Sequence, residues 1–334
     1  LLESNLHRNE TTFRPFIFAN NILREIGIEF TDGDSYDYAW VGQASIIDKK
    51  KSLKESVDKG LEFIDNITGD YMIIDGQDST SLIGTIDVFR ESNAKLFLKN
   101  SYLKDFDSYK KGWANGRMYW GEGEYSVSDI DKLKSKMKLT GCNWLNTIQP
   151  QWLEYNDNKP YDISCMFSYP TKEPVYEHEL CQTDYYDKHR KELMEILGDK
   201  YKIAGLKNGE RVPQDVYWDK MYNSKIVMAP IGYGEMAPRD IEASMFGSIL
   251  VKPDLSYIDT KPLVFEDGET YFAVNYDWSD LEEKLDYILS NYSSLQKRIT
   301  ENMRKKFLEA TNKEKFALHL YNIFNKLEGV TTYD

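Results

Sequence analysis

At 334 residues the chain exceeds one ordinary hydrophobic core and suits two domains. A hydrophobic fraction of 41% beside 29% charged residues excludes a disordered or membrane-embedded chain, and no apolar run approaches the length that spans a bilayer. The 55 acidic against 42 basic residues give a net charge of −13, which argues against a nucleic-acid backbone as the main partner. A nucleotide diphosphate stays admissible, because it needs only a local basic pocket.

Cys142, Cys165 and Cys181 cannot all pair, and with four scattered histidines they form no metal motif. A reducing cytoplasm is the expected compartment. The chain opens at Leu1 without a methionine, as one trimmed of a leader would. Its 24 tyrosines and 7 tryptophans suit sugar stacking and equally suit a large aromatic core.

In chain order, residues 1–5 read as the end of a first strand, 6–12 as polar loop and 13–26 as an amphipathic helix. Residues 28–30 and 38–41 read as strands split by a turn-rich segment. Residues 50–67 form a helix with Leu53, Val57, Leu61 and Ile64 on one face. A buried strand at 71–74 ends in the polar loop 75–80, followed by a helix at 81–92 and a strand at 94–98. This alternation predicts a parallel sheet with helices on both faces.

Residues 102–124 are irregular and aromatic, 128–137 helical, and 139–158 a connector. The polar cluster at 156–160 marks the boundary, giving an N-terminal domain over 1–157, a second domain over 158–310 and a final helix over 311–334. A second sheet begins at 161–167, with a helix at 184–197 and a strand at 202–205. Near the end, Ser279 with Glu282 and Thr311 with Glu314 read as capping boxes of helices.

The densest signals lie in residues 223–253, NSKIVMAPIGYGEMAPRDIEASMFGSILVKP. Ile226 to Ala229 is an apolar run of buried-strand length, ended by Pro230. Gly232 and Gly234 open a loop that can take angles other residues resist and let a ligand approach the backbone. Pro238 suits the first helical turn and Gly247 the left-handed stop, with the next buried strand at 248–251. A helix starting just after a parallel strand presents free N–H groups and a positive dipole end, which together bind anions. Arg239 in its first turn can fork onto a phosphate, and Glu242, three residues on, can accept from ribose hydroxyls. His189-Arg190 opens an earlier helix where a second phosphate contact would fit. The same charges would also suit solvated helix faces; for Arg239 and Glu242 the placement of the glycines and Pro238 favours a ligand site, whereas for His189-Arg190 the solvated face is favoured.

The run P-R-D-I-E-A-S-M-F-G-S-I-L-V resembles the nucleotide-sugar-binding segment of GT-B glycosyltransferases, especially the exostosin-like and glycosyl transferases group 1 families. Those carry a similar (S/P)-R-x-x-E-A-x-x-x-G-x-x-(P/L)-V pattern. The resemblance extends through most of the C-terminal half, where residues 265–270 and 278–285 look like the strand and helix that follow. It implies an α/β fold of two Rossmann-like domains with parallel sheets facing a cleft, and a last helix packed back on the N-terminal domain. The implied donor-binding set is Gly232, Gly234, Glu235, Arg239, Asp240 and Glu242, joined by Arg190. Many retaining members carry two glutamates eight positions apart. Here that earlier position is Gly234, with Glu235 one place off, so retention and inversion both stay open.

In open parallel sheets ligands bind beyond the carboxyl ends of the strands. Three N-terminal loops leave such ends, carrying His7, then Asp75 and Asp78, then Lys99, Asn100 and Ser101. An inverting transfer to a hydroxyl needs a base there. His7 has a suitable ordinary pKa and lies where the resemblance implies a base; Asp75 and Asp78 are the alternatives, although Asp-Gly is also turn chemistry. Asp32-x-Asp34 and the Asp75–Asp78 pair look like the metal-binding motif of the GT-A fold, but in so acidic a chain they read as solvated turns. The expectation is a cytoplasmic glycosyltransferase without metal or cofactor. It moves a sugar from a nucleotide-sugar donor to a glycan or glycoconjugate acceptor, as in polysaccharide biosynthesis. Its rivals are a nucleotide-sugar 2-epimerase on the same fold and a glycan-binding protein that has lost the donor site.

Overall fold

Short apolar runs and amphipathic helices alternate along the chain and build two separate parallel sheets. The computed structural model describes residues 12–31, 35–48, 51–76, 79–111, 125–141, 153–167, 184–206, 210–232 and 234–327. The strand expected at residues 1–5 lies outside these, as do His7, Asp32, Asp34 and Asp78.

The first sheet contains β1 (Tyr38–Gly42), β2 (Asp70–Asp75) and β3 (Phe97–Lys99). The next strand, β4 (Ser101–Leu103), leaves it, and β5 (Met137–Leu139) returns to pair with β3. Its order is β1-β2-β3-β5, with every pair parallel. Helix α1 (Asn20–Glu25) precedes it; α2 (Leu53–Asp65) and α3 (Thr85–Arg90) make crossovers. Alternate residues point to opposite faces. Ile73 and Phe97 therefore pack with Ile64 of α2 and Phe89 of α3, while Met72, Ile74 and Leu98 face Phe16 and Leu23.

The second sheet contains β6 (Tyr161–Cys165), β7 (Ile203–Gly205), β8 (Ser224–Met228) and β9 (Ile249–Pro253). A short strand, β10 (Ile258–Thr260), departs before β11 (Phe272–Val274) completes the sheet. The order is β11-β9-β8-β6-β7, again all parallel. Its crossovers are α4 (Asp184–Leu197), α5 (Gln214–Tyr222) and α6 (Pro238–Met245). Then come α7 (Leu281–Ser290), α8 (Tyr292–Ala310) and α9 (Lys313–Leu327). Val227 and Leu250 pack under Ile241 and Met245 of α6, and Ile226 and Ile249 pack under Leu193 of α4 and Leu285 of α7. Both faces are covered, as the unbroken apolar strands require. The order in which strands are added reverses between β6 and β8: β7 lies outside β6 on one side, and the later strands add on the other. Such a switch point opens a crevice at the carboxyl ends of the two central strands.

Among the ties between the halves besides the connector, two are made by whole elements. The strands β4 and β10 pair antiparallel, and the side chains of α9 (Phe316, Ala317, Leu320, Ile323) pack onto the first sheet with Met72 and Leu98. Among the described residues no helix is long and apolar enough to cross a membrane.

Several expectations need correction. Residues 28–30 are not a strand, because the Ile28 amide donates to Leu23 O and closes the preceding helix. Residues 137–139, at the junction of an expected helix and connector, form β5. The strand expected at 265–270 comes later, as β11; residues 267–271 form a turn held by Gly268 N donating to Tyr271 O. Neither C-terminal capping box forms. Helix α7 starts after Asp280, and Ser279 Oγ accepts from Asn275 Nδ2. Before α9, Asn312 Oδ1 caps Lys315 N while Thr311 Oγ1 donates back to Phe307 O. A full side-chain box does form between Ser52 and Glu55, at the start of α2.

Candidate functional site

The crevice at the switch point holds a cavity of about 500 Å³. Its wall comes from the chain just beyond β6 (Met166, Phe167), the segment after β7 (Leu206, Arg211, Val212), the first turns of α5 (Gln214, Tyr217), and the start of α6 (Ala237, Pro238, Arg239, Glu242). Every one of these segments follows a strand's carboxyl end, so the topology alone brings them together.

Helix α6 is shaped at both ends by the residues the sequence singled out. Pro238 occupies its first turn. At the other end Gly247 has φ of 63°, with Gly247 N donating to Ser244 O and Ser248 N to Ala243 O. This double closure needs a left-handed residue, and a Cβ there would stand 2.7 Å from Tyr155 Cδ1. Gly232 does not take the special backbone angle expected of it. Its φ is not left-handed; a Cβ there would meet Arg190 Nη2 at 3.1 Å.

Arg239 and Glu242 both reach the cavity wall, and both are held. Arg239 Nη2 donates to Met166 O at 2.8 Å and Nε to Tyr217 Oη at 3.2 Å, leaving Nη1 without a partner among the described residues. Glu242 is 5% exposed and accepts from Tyr217 Oη at 3.1 Å and Trp218 Nε1 at 2.9 Å. Burial pushes the Tyr217 hydroxyl up to about 12, against the opposing charge of Arg239, so it stays a donor. Arg190 lies nearby: its Cζ is 5.8 Å from the Phe167 ring centroid, and that of Arg239 is 5.9 Å away. Two guanidiniums thus gather around one ring at the mouth of the crevice, a setting suited to a diphosphate.

Other expected residues are engaged elsewhere. Asp240 is fully buried behind the wall. Its carboxylate accepts from Ala237 N at 2.9 Å and pairs with Lys252 Nζ at 2.6 Å, so its charge is answered inside the protein. The Glu235 carboxylate, 2% exposed, accepts from Thr80 N at 3.2 Å and Thr80 Oγ1 at 2.8 Å, crossing to the other half of the molecule. Gly234 is buried in the same loop, its carbonyl accepting from Gly232 N at 3.3 Å.

Among the candidate bases, Asp75 is fully buried, 3.2 Å from Lys99 Nζ, and accepts from Thr85 Oγ1 at 2.5 Å. That is a paired internal charge, not a carboxylate open to the crevice. His7 and Asp78 lie outside the described residues. Burial pushes the Cys165 thiol up to about 12, so Cys165 is not a thiolate nucleophile.

Tyr217 and Trp218 escaped the sequence reading, together with all of α5. That helix is weakly patterned: Val216 is exposed while Met221 is buried, and no side chain caps its start. Pro213 before it and Asp215 in its first turn are the signals that could have revealed it.

No protein-family model and no curated protein matches the sequence. Solved structures of similar fold include sucrose-phosphate synthase from Thermosynechococcus elongatus, with a TM-score of 0.48 at 11% identity, covering 83% of this chain and 79% of that one. Another is a glycosyltransferase from Rickettsia africae ESF-5, with a TM-score of 0.42 at 14% identity over 98% and 97% of the two chains. Anabaena HepE in complex with UDP gives a TM-score of 0.48 at 10% identity over 92% and 82%. The two parallel sheets, each covered by helices on both faces, are the pair of Rossmann-like domains that the sequence resemblance implied.

Proposed function

We propose that the protein transfers a sugar from a nucleotide-sugar donor to a hydroxyl of a glycan or glycoconjugate. The observation that carries this reading is the pairing of Arg239 and Glu242, one helical turn apart, on the wall of a switch-point cavity. A nucleoside diphosphate presents the complementary groups at a similar separation: phosphates for a guanidinium and a ribose for a carboxylate. In the reaction the acceptor oxygen bonds to the anomeric carbon while the bond from that carbon to the diphosphate breaks. The hydroxyl proton leaves to a base, and the departing diphosphate carries away the electron pair. Arg239, Arg190 and the positive end of α6 stabilise that developing charge, an effect that accelerates the step only insofar as it grows toward the transition state. Metal-independent transfer and a cytoplasmic setting belong to the same proposal. UDP, bound by the Anabaena neighbour, is the first ligand to try.

The test is calorimetry and thermal shift with UDP, ADP, GDP and CDP, followed by incubation with the matching nucleotide sugars and NMR of the products. A bound nucleoside diphosphate and a transferred sugar are expected, with activity surviving chelator. Binding of no nucleoside diphosphate would end this reading, and an epimerised nucleotide sugar would replace transfer by 2-epimerisation.

A further inference from the structure

The carboxylate of Glu242 is held in an unusual way. Tyr217 and Trp218, neighbours on α5, each donate to a different oxygen: Tyr217 Oη to Oε2 at 3.1 Å and Trp218 Nε1 to Oε1 at 2.9 Å. A carboxylate has about four lone-pair positions, two on each oxygen. One on each is therefore filled by a rigid aromatic donor, and one on each is left. Glu242 and Tyr217 line the cavity, whereas the Trp218 ring packs near Phe246, with 5.9 Å between ring centroids. Both donors are stiff rings with few rotatable bonds, so the carboxylate plane cannot turn without breaking one of them. The acceptors left over sit side by side, and the group that fits them is a pair of adjacent hydroxyls.

We propose that Tyr217 and Trp218 are positioning residues that orient Glu242 for a vicinal diol, so that the pocket accepts ribonucleotide donors and rejects 2′-deoxyribonucleotide donors such as thymidine diphosphate sugars. This rests on the donor-site reading above and narrows it to a substrate class. A deoxyribose would fill one acceptor and leave the other buried and unpaired, and a site built to meet a hydroxyl discriminates strongly against an analogue lacking it. Tyr217 adds a link of its own. Its hydroxyl accepts from Arg239 Nε at 3.2 Å while donating to Glu242, so one side chain sets both the phosphate-facing and the sugar-facing groups.

The experiment compares UDP with 2′-deoxy-UDP by calorimetry on the wild type, Trp218→Phe, Tyr217→Phe and Glu242→Gln, with ADP and 2′-deoxy-ADP as a second pair. The wild type should prefer the ribonucleotide by about tenfold or more, the scale of a hydrogen bond to a charged group. In Trp218→Phe the preference should shrink to about threefold or less, while affinity for inorganic pyrophosphate stays unchanged. Tyr217→Phe should lose both preference and pyrophosphate affinity, since Arg239 loses a partner, and Glu242→Gln should abolish the preference. A merely structural role would lower both affinities together and leave their ratio intact, which would overturn the assignment in folded variants. Equal affinity of the wild type for UDP and 2′-deoxy-UDP overturns it without any variant. A wild type that binds neither pair removes the donor site itself, and this inference with it.

Discussion

Arg239 braces its neighbours and is proposed to hold a phosphate, and the two roles separate experimentally. Nη2 and Nε brace Met166 and Tyr217, while Nη1 faces no described partner. Arg239→Ala should weaken UDP binding by about 1.5–3 kcal/mol, as for a charged hydrogen bond, and should also lower stability by about 1 kcal/mol through the lost braces. Calorimetry and urea denaturation read the two effects; unchanged affinity beside lowered stability would leave Arg239 purely structural. Cys165 gives a second check. Its thiol is pushed up to about 12 by burial, so at pH 8 almost none is thiolate. In a background where Cys142 and Cys181 are serine, a thiol reagent should label the native protein far more slowly than the urea-unfolded chain; comparable rates would mean that the end of β6 opens readily. Arg239 and Glu242 were legible in the sequence because local chemistry, a proline before them and a glycine after, dates them to one helix. Tyr217 and Trp218 were not, because what gives them a role is the packing of α5 against α6, and no local pattern records it.

Helix α6 begins over a buried ion pair, and this explains why its start is rigid enough to present a site. Lys252 Nζ reaches from β9 to Asp240 Oδ2 at 2.6 Å and to Glu235 O at 2.7 Å, with the Phe265 ring centroid 5.1 Å away. Burial lowers the lysine's pKa while Asp240 raises it, so removing the partner leaves a charge with no compensation. Lys252→Met or Asp240→Asn alone should cost about 3–5 kcal/mol, whereas Lys252→Met with Asp240→Leu should cost much less than the sum, because a buried pair often exchanges for apolar groups with little loss. Urea denaturation of the two singles and the double decides this, and additive costs would count against the pair as a unit. Elements as a class were read well where apolar runs were buried on both sides, as in β2, β8 and β9. They were misread at their ends. Ser279 and Thr311 satisfied the capping pattern as well as their neighbours did, but backbone geometry gave the helix starts to Asp280 and Asn312.

At the scale of the whole molecule, the chain that enters the C-terminal sheet is fastened to it by specific ties, and one of these responds to pH. Arg304 Nη2 donates to Leu153 O, and Tyr155 packs against Gly247, so the connector is fastened to the C-terminal sheet before that sheet begins. Lys159 completes the fastening. It is 5% exposed, and its Nζ donates to Tyr222 O, to Phe246 O at 3.0 Å and to Ser248 Oγ at 3.1 Å. These acceptors are neutral, and no carboxylate stands among them. Burial, aided by the charge of Arg304, lowers Lys159 from its ordinary value to about 7. A base whose pKa is lower folded than unfolded binds fewer protons in the native state between those two values. Stability therefore rises with pH from about 7 toward the unfolded value of about 10.4, and the full penalty for the buried charge applies below 7. Lys159→Met removes this proton without altering the acidic surface that dominates the rest of the titration. Urea denaturation of both proteins at pH 6, 7.5 and 9 isolates the effect as a difference in slope. The wild type should gain on the order of 2 kcal/mol more than Lys159→Met between pH 6 and pH 9. Parallel profiles would mean that the three acceptors hold the ammonium charged across the range, and that the connector is fastened equally at every pH.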